Sequence, residues 1–434
     1  MVSRSARFAA LFVIAVLSAH APSVLSAQTS SSQSSSPKLS QLTLDDATRL
    51  ALENNQSLRA QRLAIDQAKA NEITAALKPN PVFTNLNEDF PFLSPNFLTL
   101  DNLRTNQEFT NSVTYTIERG GKRQKRVQVA QDSTDVTIKT VADNERQLKF
   151  QVAQAFINAL LAKSNLEFAR EDLKSFLQVV GINQQRLKSG DIAEADYLKI
   201  KLQQLQFEQD VSSAQVALVQ GKASLRQLVG YNTISEDFDL VGDLTHAKYA
   251  APQKDLENEA LLSRPDYLAA QSAVKLANDT VSLAYGNRAR DLTVESEYKR
   301  SGLINGLGFG LSIELPIHDR NQGEIARSKA AASQALESAE SVRIGVLTDV
   351  RSAYAGFQTA QEVAVLYESG YLDQAKESRD ISNYAYQRGA ATLLDLLDAE
   401  RSYRATQLAY RQALAAYMTS TEQINFAVGK RVMP

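Results

Sequence analysis

Four short segments of the chain alternate apolar and polar side chains, which is the pattern of a β-strand with one apolar and one polar face. The alternation is clearest where Phe109, Val113, Tyr115 and Ile117 share one face, and weakest in the first segment. Strands of about 9 to 11 residues with a polar side suit a membrane-spanning barrel. Edge strands of a soluble sandwich are the alternative, which we consider weaker because the rest of the chain offers no further predicted strands. The predicted strands cover about 82–89, 108–118, 291–300 and 307–316.

The rest of the chain has the apolar spacing of long helices with narrow apolar stripes. From Gly121 the helical pattern continues without proline to about Leu187, which corresponds to about 100 Å of helix. A first helix is predicted to begin near Leu44, with Asp45 or Thr43 available as its N-cap. The other long helices are predicted at about 57–78, 193–229, 263–284, 322–388 and 393–428.

The two halves of the chain repeat the same residues at a constant distance. Long helices and a pair of strands follow each other in the same order in both halves, which predicts two structural repeats. The predicted boundaries are 42–231 and 255–429, with a linker at 232–254 between them and a tail at 430–434. The pairs that match are Gly190 with Gly389, Asp196 with Asp395, Leu198 with Leu397, and Gly230 with Gly429.

Residues 1–27 have the arrangement of a secretory signal peptide. Arg4 and Arg7 precede an apolar segment of about ten residues, which is too short to span a bilayer. We predict cleavage after Ala27; the alternative, Ala21, is followed by proline. A linker rich in serine and glutamine follows at 28–41, which disfavours the alternative of a buried N-terminal helix. The chain is therefore expected to leave the cytoplasm.

Composition excludes several classes of function. The chain has 47 lysines and arginines against 49 aspartates and glutamates, so it carries no net positive charge for binding nucleic acid. It has no cysteine, which excludes disulfides, thiolate metal sites and a cysteine nucleophile. The Gly121-Lys122-Arg123 segment lacks the residues of a phosphate-binding loop, and the histidines are isolated from one another. We therefore expect no enzymatic activity, no catalytic residues, no cofactor and no bound metal.

The strand-to-helix junctions and the helix-to-helix turns resemble those of the TolC family of outer membrane efflux proteins. The resemblance extends over residues 42–429. The Gly-Gly-Lys-Arg form of the first junction is similar to the CzcC-like branch of the family, whose members serve heavy-metal efflux pumps. The motifs that carry the resemblance are residues 118–123, 315–323, 186–190 with Asp196, and 386–389 with Asp395 and Asp398.

The resemblance implies a mainly α-helical homotrimer with a membrane β-barrel. Four strands from each subunit would close a twelve-stranded barrel in the outer membrane, and twelve helices would form a tunnel across the periplasm. Closure by three subunits agrees with physics, because four strands alone leave unpaired edges in lipid. The implied function is the passive exit duct of a tripartite efflux system in a Gram-negative cell. Its implied partners are a periplasmic adaptor, an inner-membrane pump and outer membrane lipid.

The resemblance also assigns roles to residues at the helical tips. It implies that Tyr386, Asp395 and Asp398 constrict the periplasmic entrance and that Asp196 is an acidic partner across the groove. Repeated threefold, Asp395 and Asp398 would form rings of carboxylates that attract cations. The alternative interpretation of these carboxylates is a helix cap or a solvated helix face.

An arginine that forms part of the gate in some relatives is absent here. Its position is taken by Ala391, and Arg388 could supply the charge instead. The sequence therefore does not decide whether an arginine forms part of this gate. The residues expected to contact the adaptor at the tips are Arg186, Gly190 and Gly389. The residues expected to shape the strand-helix junctions are Gly120, Gly121, Lys122, Arg123 and Pro316.

Two other functions use long helical hairpins. A periplasmic coiled-coil adaptor is one, but adaptors pair one hairpin with β-rich domains and lack two amphipathic strand pairs separated by long helices. The outer membrane duct of a type I protein secretion system is the other. The sequence does not separate metal cations, small organic molecules and proteins as cargo, and it does not identify the pump or the adaptor.

Overall fold

The computed structural model describes residues 39–88, 99, 101, 107–247, 249 and 252–433. These residues belong to one unit, which extends from Leu39 to Pro434. The predicted signal peptide and most of the predicted linker at 28–41 lie outside the described residues.

The first half of the described chain contains a β-hairpin followed by a helix of 68 residues, α3. Its shorter elements lie before the hairpin and after this helix. In chain order the elements are β1 (Leu39–Leu42), α1 (Leu44–Asn54), α2 (Gln56–Ala76), β2 (Val82–Glu88), β3 (Glu108–Ile117), α3 (Lys122–Ser189), α4 (Glu194–Val229) and β4 (Ile234–Leu240).

The second half also contains a hairpin followed by a long helical run, but this run is broken by a π-helical turn. Its last helix has the predicted bounds. In chain order the elements are α5 (Gln253–Ser263), α6 (Pro265–Asn287), β5 (Leu292–Ser301), β6 (Ile304–Ile313), α7 (Gln322–Leu366), the π-helical turn (Tyr367–Tyr371), α8 (Leu372–Gln387) and α9 (Leu393–Val428).

The helices pack side by side along α3 and α7. Both α2 and α4 pack against α3, so two shorter helices placed end to end cover one long helix. In the second half α6 and α9 pack against α7, and both also contact α3, which joins the two halves. Among the helices of the described ranges, none combines the length and the apolar composition needed to cross a membrane.

The four predicted strands form one antiparallel sheet in the order β2-β3-β5-β6. Pairing between β3 and β5 is continuous from Glu108 opposite Ser301 to Ile117 opposite Leu292. This central pairing joins the two hairpins, which are separated in the sequence by the long helices α3 and α4. Among the described strands, the two outer ones, β2 and β6, each have a neighbour on one side only.

The position predicted for the fourth strand, 307–316, is wrong by three residues. The β5–β6 hairpin closes through a two-residue turn, with Ser301 opposite Ile304 and Gly302 in the left-handed region at φ 59°. Because Gly302 permits such a tight turn, the strand begins earlier than the glycine-rich sequence suggested. It ends at Ile313, before Pro316, which has no N–H to donate to a sheet.

A second, parallel pair of strands was not predicted. β1 pairs with β4, which lies in the segment predicted to be a linker. The expectation that the chain holds no further strands was therefore wrong, although this pair forms its own small sheet. Leu42, Ile234, Phe238 and Leu240 of this pair are fully buried against α1, α3 and α4.

The predicted uninterrupted helix at 322–388 is also wrong. Five residues, Tyr367–Tyr371, form a π-helical turn between α7 and α8. Within it Gly370 has φ 120° and ψ −10°, a backbone conformation outside the helical range. Gly345 and Gly356 stand inside α7 without breaking it, so a glycine in the helical pattern did not locate this turn.

Candidate functional sites at the helical tips and strand-helix junctions

The first helical tip is the turn between α3 and α4. Gly190 ends α3 in the left-handed region at φ 80°, and its N–H donates to Leu187 O at 3.1 Å. Asp191 N donates to Arg186 O at 2.8 Å, so the last carbonyl groups of α3 are satisfied within the turn. No side chain lies within 4 Å of a Cβ added to Gly190, so its backbone conformation accounts for glycine here.

The second tip, between α8 and α9, has the same glycine turn followed by a capped helix. Gly389 has φ 74°, and Ala390 N donates to Ala385 O at 2.9 Å. Thr392 is the N-cap of α9: its hydroxyl accepts from Asp395 N at 3.2 Å, and its N–H donates to Asp395 Oδ2 at 2.9 Å. Hydrogen bonds from Thr392 lower the pKa of Asp395. Asp395 is thus a capping residue in the subunit, the alternative left open by the sequence.

Tyr386 connects the two tips. Its hydroxyl donates to Asn183 Oδ1 of α3 at 2.6 Å, and its side chain is buried. The guanidinium of Arg186 lies over the ring, 5.3 Å from its centre. Burial raises the pKa of Tyr386, although Arg186 opposes the shift. Tyr386 and Arg186, both predicted from the sequence, therefore meet in the structure, and Asn183 is the partner that the sequence did not identify.

An apolar cluster surrounds this contact and fixes both helix pairs at the tip. Phe176 of α3 stacks on Phe207 of α4 with ring centres 4.4 Å apart. Ala391, which stands at the position of the arginine in some relatives, packs against this cluster. Its buried members are Phe176, Val179, Val180, Ile200, Phe207, Tyr386 and Leu396.

The remaining charged residues predicted at the tips lie at the surface of the subunit. Asp398 pairs with Arg401 at 3.2 Å and Asp196 pairs with Lys199 at 3.0 Å, each one turn along its own helix. Arg388 lies over the ring of Tyr384, 5.3 Å from its centre. The structure therefore does not bring Asp395, Asp398 and Arg388 together within the chain.

A buried charged cluster, which lies farther from the turns than Tyr386, was missed by sequence reasoning. Asp172 of α3 and Glu400 of α9 are 6% and 8% exposed. Arg404 of α9 forms an ion pair with Asp172, with Nε 2.9 Å from the carboxylate, also pairs with Asp210 of α4, and lies over Phe207. Burial raises the pKa of Asp172 to about 6 and, together with the charge of Asp172, that of Glu400 to about 7.

This cluster lies beside a cavity of about 1000 Å³ between α3, α4 and α9, which Asp172, Asp210 and Arg404 line. The sequence did hold a signal for it. Glu400 and Arg404 occupy positions that continue the apolar spacing of Leu393 and Leu396 along α9. Charged residues at apolar-face positions are rarely buried without partners, so this spacing predicts a buried ion pair.

The first strand-helix junction is built from glycines and paired charges. Gly120 and Gly121 have φ 70° and 67°, and a Cβ on Gly120 would lie 2.6 Å from Gly286 O. Lys122 binds Asp291 at 2.8 Å, and Asp291 also accepts from Arg119 N at 3.0 Å. These contacts tie the start of α3 to the segment before β5.

The other basic residues of this junction are also structural. Arg123 Nε donates to Ala76 O at 2.5 Å, and Arg126 binds Glu118 at 2.7 Å. At the second junction Pro316 follows β6, and Asn321 begins α7 with φ 59°. Both junctions therefore use a residue in the left-handed region to turn from strand to helix, a glycine in one and Asn321 in the other.

Within the described residues, no group of three or more histidine, aspartate and glutamate side chains is arranged to hold a metal ion. His318 is exposed, and His246 pairs with Glu368 at 3.2 Å.

Two strand pairs in one sheet and paired long helices with glycine tips accord with the resemblance drawn from the sequence. The family profile described as outer membrane efflux protein matches residues 47–231 and 256–430, most of the chain. The chain belongs to this family.

Relatives of this outer membrane efflux protein support the assignment. The cobalt-zinc-cadmium resistance protein CzcC of Cupriavidus metallidurans is 24% identical over 391 residues, 90% of this chain and 90% of that protein. The outer membrane protein TolC of Vibrio cholerae is 25% identical over 313 residues, 66% of this chain and 69% of that protein. A crystal structure of CusC has a TM-score of 0.74 at 19% identity and covers 89% of this chain and 92% of that chain, which shows the same fold.

The chain is the outer membrane channel of a tripartite efflux system, and it extends into the periplasm. Members of the family act with periplasmic adaptors and inner-membrane pumps. The family match excludes the periplasmic adaptor as an interpretation of this chain, since the matched family is that of the outer membrane component.

Proposed function

We propose that three copies of this outer membrane efflux protein close a twelve-stranded barrel and a twelve-helix tunnel, through which substrate leaves the cell passively. The observation that carries the proposal is the four-stranded sheet, whose outer strands β2 and β6 have no second neighbour within the described part of the chain. Backbone groups on an edge strand need partners, and in lipid no water can supply them. Pairing β6 of one subunit with β2 of the next satisfies both edges, and three subunits then form a closed ring.

The two faces of the sheet suit this arrangement. Cross-strand pairing puts Phe83, Val113 and Phe309 on one face, and Phe309 is 84% exposed in the isolated subunit. Adjacent residues point to the opposite face, which carries Glu295 and Glu297. The apolar face would contact lipid and the polar face would line the lumen.

Exposed apolar residues along the helices support a subunit interface in the tunnel. Leu198, Leu202 and Leu205 of α4 are more than half exposed, and they follow one another at the spacing of a coiled-coil seam. Ile381 and Tyr384 form a comparable exposed pair on α8. A neighbouring copy that places α8 against α4 would bury both surfaces, and α3, α4, α8 and α9 of each subunit would then form the tunnel.

The helical tips are proposed as the periplasmic entrance and as the surface that the adaptor contacts. Tyr386 holds α8 to α3 within a subunit, while Asp398, Asp196 and Arg388 remain available to face neighbouring subunits. Asp395 caps α9 and Asp398 does not, so Asp398 is the better candidate for a carboxylate ring. The turns at Arg186–Gly190 and at Gly389 would meet the adaptor.

Metal cations are the proposed cargo. CzcC is named as a cobalt-zinc-cadmium resistance protein, and it covers 90% of this chain. The proposed lumen face also has an acidic excess, since Glu108, Glu295 and Glu297 accompany Lys299. Negative charge in a lumen favours cations over anions.

Reconstitution into planar bilayers would test this proposal. The purified protein should form trimers and conduct, with cation selectivity that falls in Asp398→Asn while α9 remains capped. Asp395→Asn is the matched variant, because asparagine can still accept from Thr392 N. A protein that stays monomeric and never conducts would contradict the barrel and tunnel, and unchanged selectivity in Asp398→Asn would remove the carboxylate ring.

A further inference from the structure

The π-helical turn Tyr367–Tyr371 is a local break in an otherwise continuous helical run. Gly370 has φ 120° within it, whereas α3 in the first half runs for 68 residues without interruption. A Cβ on Gly370 would meet only Gln374 Nε2, at 3.9 Å, so the space around it is open. The backbone conformation, and not crowding, is therefore what requires glycine at this point.

The helical segments on the two sides of this turn belong to different packed bodies. Before it, Val346, Val350 and Phe357 of α7 are buried in a cluster with α5 and the end of α9. Beyond it, α8 is held near the tip by Tyr386, which bonds Asn183 of α3. Because the part of α7 before the turn and the tip end of α8 are each well packed, a change of angle between them would concentrate at the turn.

One side chain of the turn ties it to two other elements. Glu368 Oε2 lies 3.2 Å from His246 Nδ1 in the segment before α5, and Glu368 Oε1 accepts from the Tyr410 hydroxyl of α9 at 3.1 Å. A carboxylate only accepts, so Nδ1 of His246 carries the proton in this pair. His246 itself is anchored edge-on against Tyr417, with ring centres 5.0 Å apart.

The two partners of this contact differ in their exposure. The side chain of His246 is 6% exposed, whereas that of Glu368 is 40% exposed. Glu368 can therefore turn into water when the contact breaks, while His246 stays in place. A contact with one fixed and one exposed partner is suited to opening and closing.

We infer that the Tyr367–Tyr371 turn is a hinge for α8 and the second tip, and that Glu368, with His246 and Tyr410, is a clasp that holds this hinge. The inference rests on the proposed entrance at the tips, since movement of α8 would then widen the tunnel mouth. Among the described long helices the break occurs in the second half of the chain alone, so the change of angle would arise between α7 and α8. The hinge would act through the population of two arrangements, of which the clasp favours the one seen here.

Distances between two spin labels across the turn would test the hinge. The chain has no cysteine, so labels attach only where cysteines are introduced, for example by Glu362→Cys and Glu377→Cys, both at exposed positions. Mixing labelled with unlabelled chains before assembly leaves mainly distances within one subunit. Glu368→Ala breaks the clasp, and Glu337→Ala on α7 is its control at an exposed position. Gly370→Ala disfavours the positive φ, and Gly356→Ala is its control in open space on the same helix.

Loss of hydrogen bonds to a carboxylate should raise the population of the moved arrangement about tenfold, which would appear as a second or broader distance peak. Gly370→Ala should shift the mean distance, and both control variants should match the parent. The inference is overturned if Glu368→Ala and Gly370→Ala both give the parent distribution. Bilayer conductance of the same proteins is a separate readout: altered distances without any conduction would support the hinge and count against the proposed tunnel. Glu368→Gln, a smaller change, provides a second variant should Gly370→Ala fail to fold.

Discussion

Glu400 is a buried carboxyl group whose replacement by glutamine should remove much of the pH dependence of the subunit's stability near neutral pH. Burial and the neighbouring Asp172 raise its pKa from the usual 4.5 to about 7, while Arg379 opposes the shift. Because the pKa is higher in the folded state, folding favours the protonated form. The stabilising contribution is therefore complete below pH 4.5 and is lost as the pH rises through about 7.

The charged groups around Glu400 come from three elements. Asp172 lies on α3, Arg379 and Asp380 lie on α8, and Arg404 on α9 forms an ion pair with Asp172. A change of pKa from 4.5 to about 7 corresponds to about 3 kcal/mol of unfolding free energy at 1.36 kcal/mol for each pKa unit. Glutamine has nearly the same shape and no charge, so Glu400→Gln should be more stable than the parent at pH 8 by up to about 3 kcal/mol.

Thermal unfolding followed by circular dichroism at pH 5, 6, 7 and 8 would measure this effect. The parent should lose stability from pH 5 to pH 8, and Glu400→Gln should have a flatter profile that lies above the parent at pH 8. Glu337→Gln, at an exposed position of α7, should follow the parent. Parallel pH profiles for the parent and Glu400→Gln would refute the reasoning.

Three further substitutions test other parts of the structure. Tyr386→Phe removes the hydrogen bond to Asn183 and should lower the free energy of unfolding, measured by chemical denaturation, by about 1 kcal/mol. Tyr384→Phe, at an exposed tyrosine of the same helix, is the control. Equal losses in the two variants would argue against a stabilising contact between the tips. Gly120→Ala should destabilise the protein more than Gly121→Ala in the same assay. Both glycines have positive φ, but only a Cβ added at Gly120 would lie 2.6 Å from neighbouring backbone and side-chain atoms. An equal effect would mean that crowding does not matter there. Phe309→Lys should reduce insertion into membranes at a cost of about 2 to 4 kcal/mol if that face meets lipid. Ser312→Lys, on the opposite face, should insert normally. The reverse result would mean that the face carrying Ser312 meets lipid.

Sequence patterns predicted those parts of the fold that depend on local signals. α9 was predicted with its correct bounds because a hydroxyl cap and a terminal glycine mark its ends. Strands β3 and β5 were predicted from alternation, although their pairing with each other was not. The β1–β4 pair did not, because β1 has only four residues and its partner lies almost two hundred residues away. The break at Gly370 was missed because Gly345 and Gly356 stand inside α7 without breaking it, so a glycine in the helical pattern does not mark a break.

The candidate site was predicted to a similar extent. Tyr386 and Arg186 were named from the tip motifs, and they contact each other, while their roles at the entrance and the adaptor surface stay predictions. Asn183 could not, because the contact depends on how two helices distant in sequence align. Asp395 illustrates another limit: the same carboxylate suits a pore ring and a helix cap, and in the subunit it caps α9. Only geometry distinguishes these roles.

The parallel pairing of β1 with β4 has a consequence for how the subunit matures. Leu39 stands opposite Ile234, so the first described residues find their place only after more than half of the polypeptide has been synthesised and exported. Contacts between such distant positions form slowly, because a long loop must close first. The subunit therefore completes its core late, and a bulky fusion placed immediately before Leu39 should hinder that last step more than one attached after Met433.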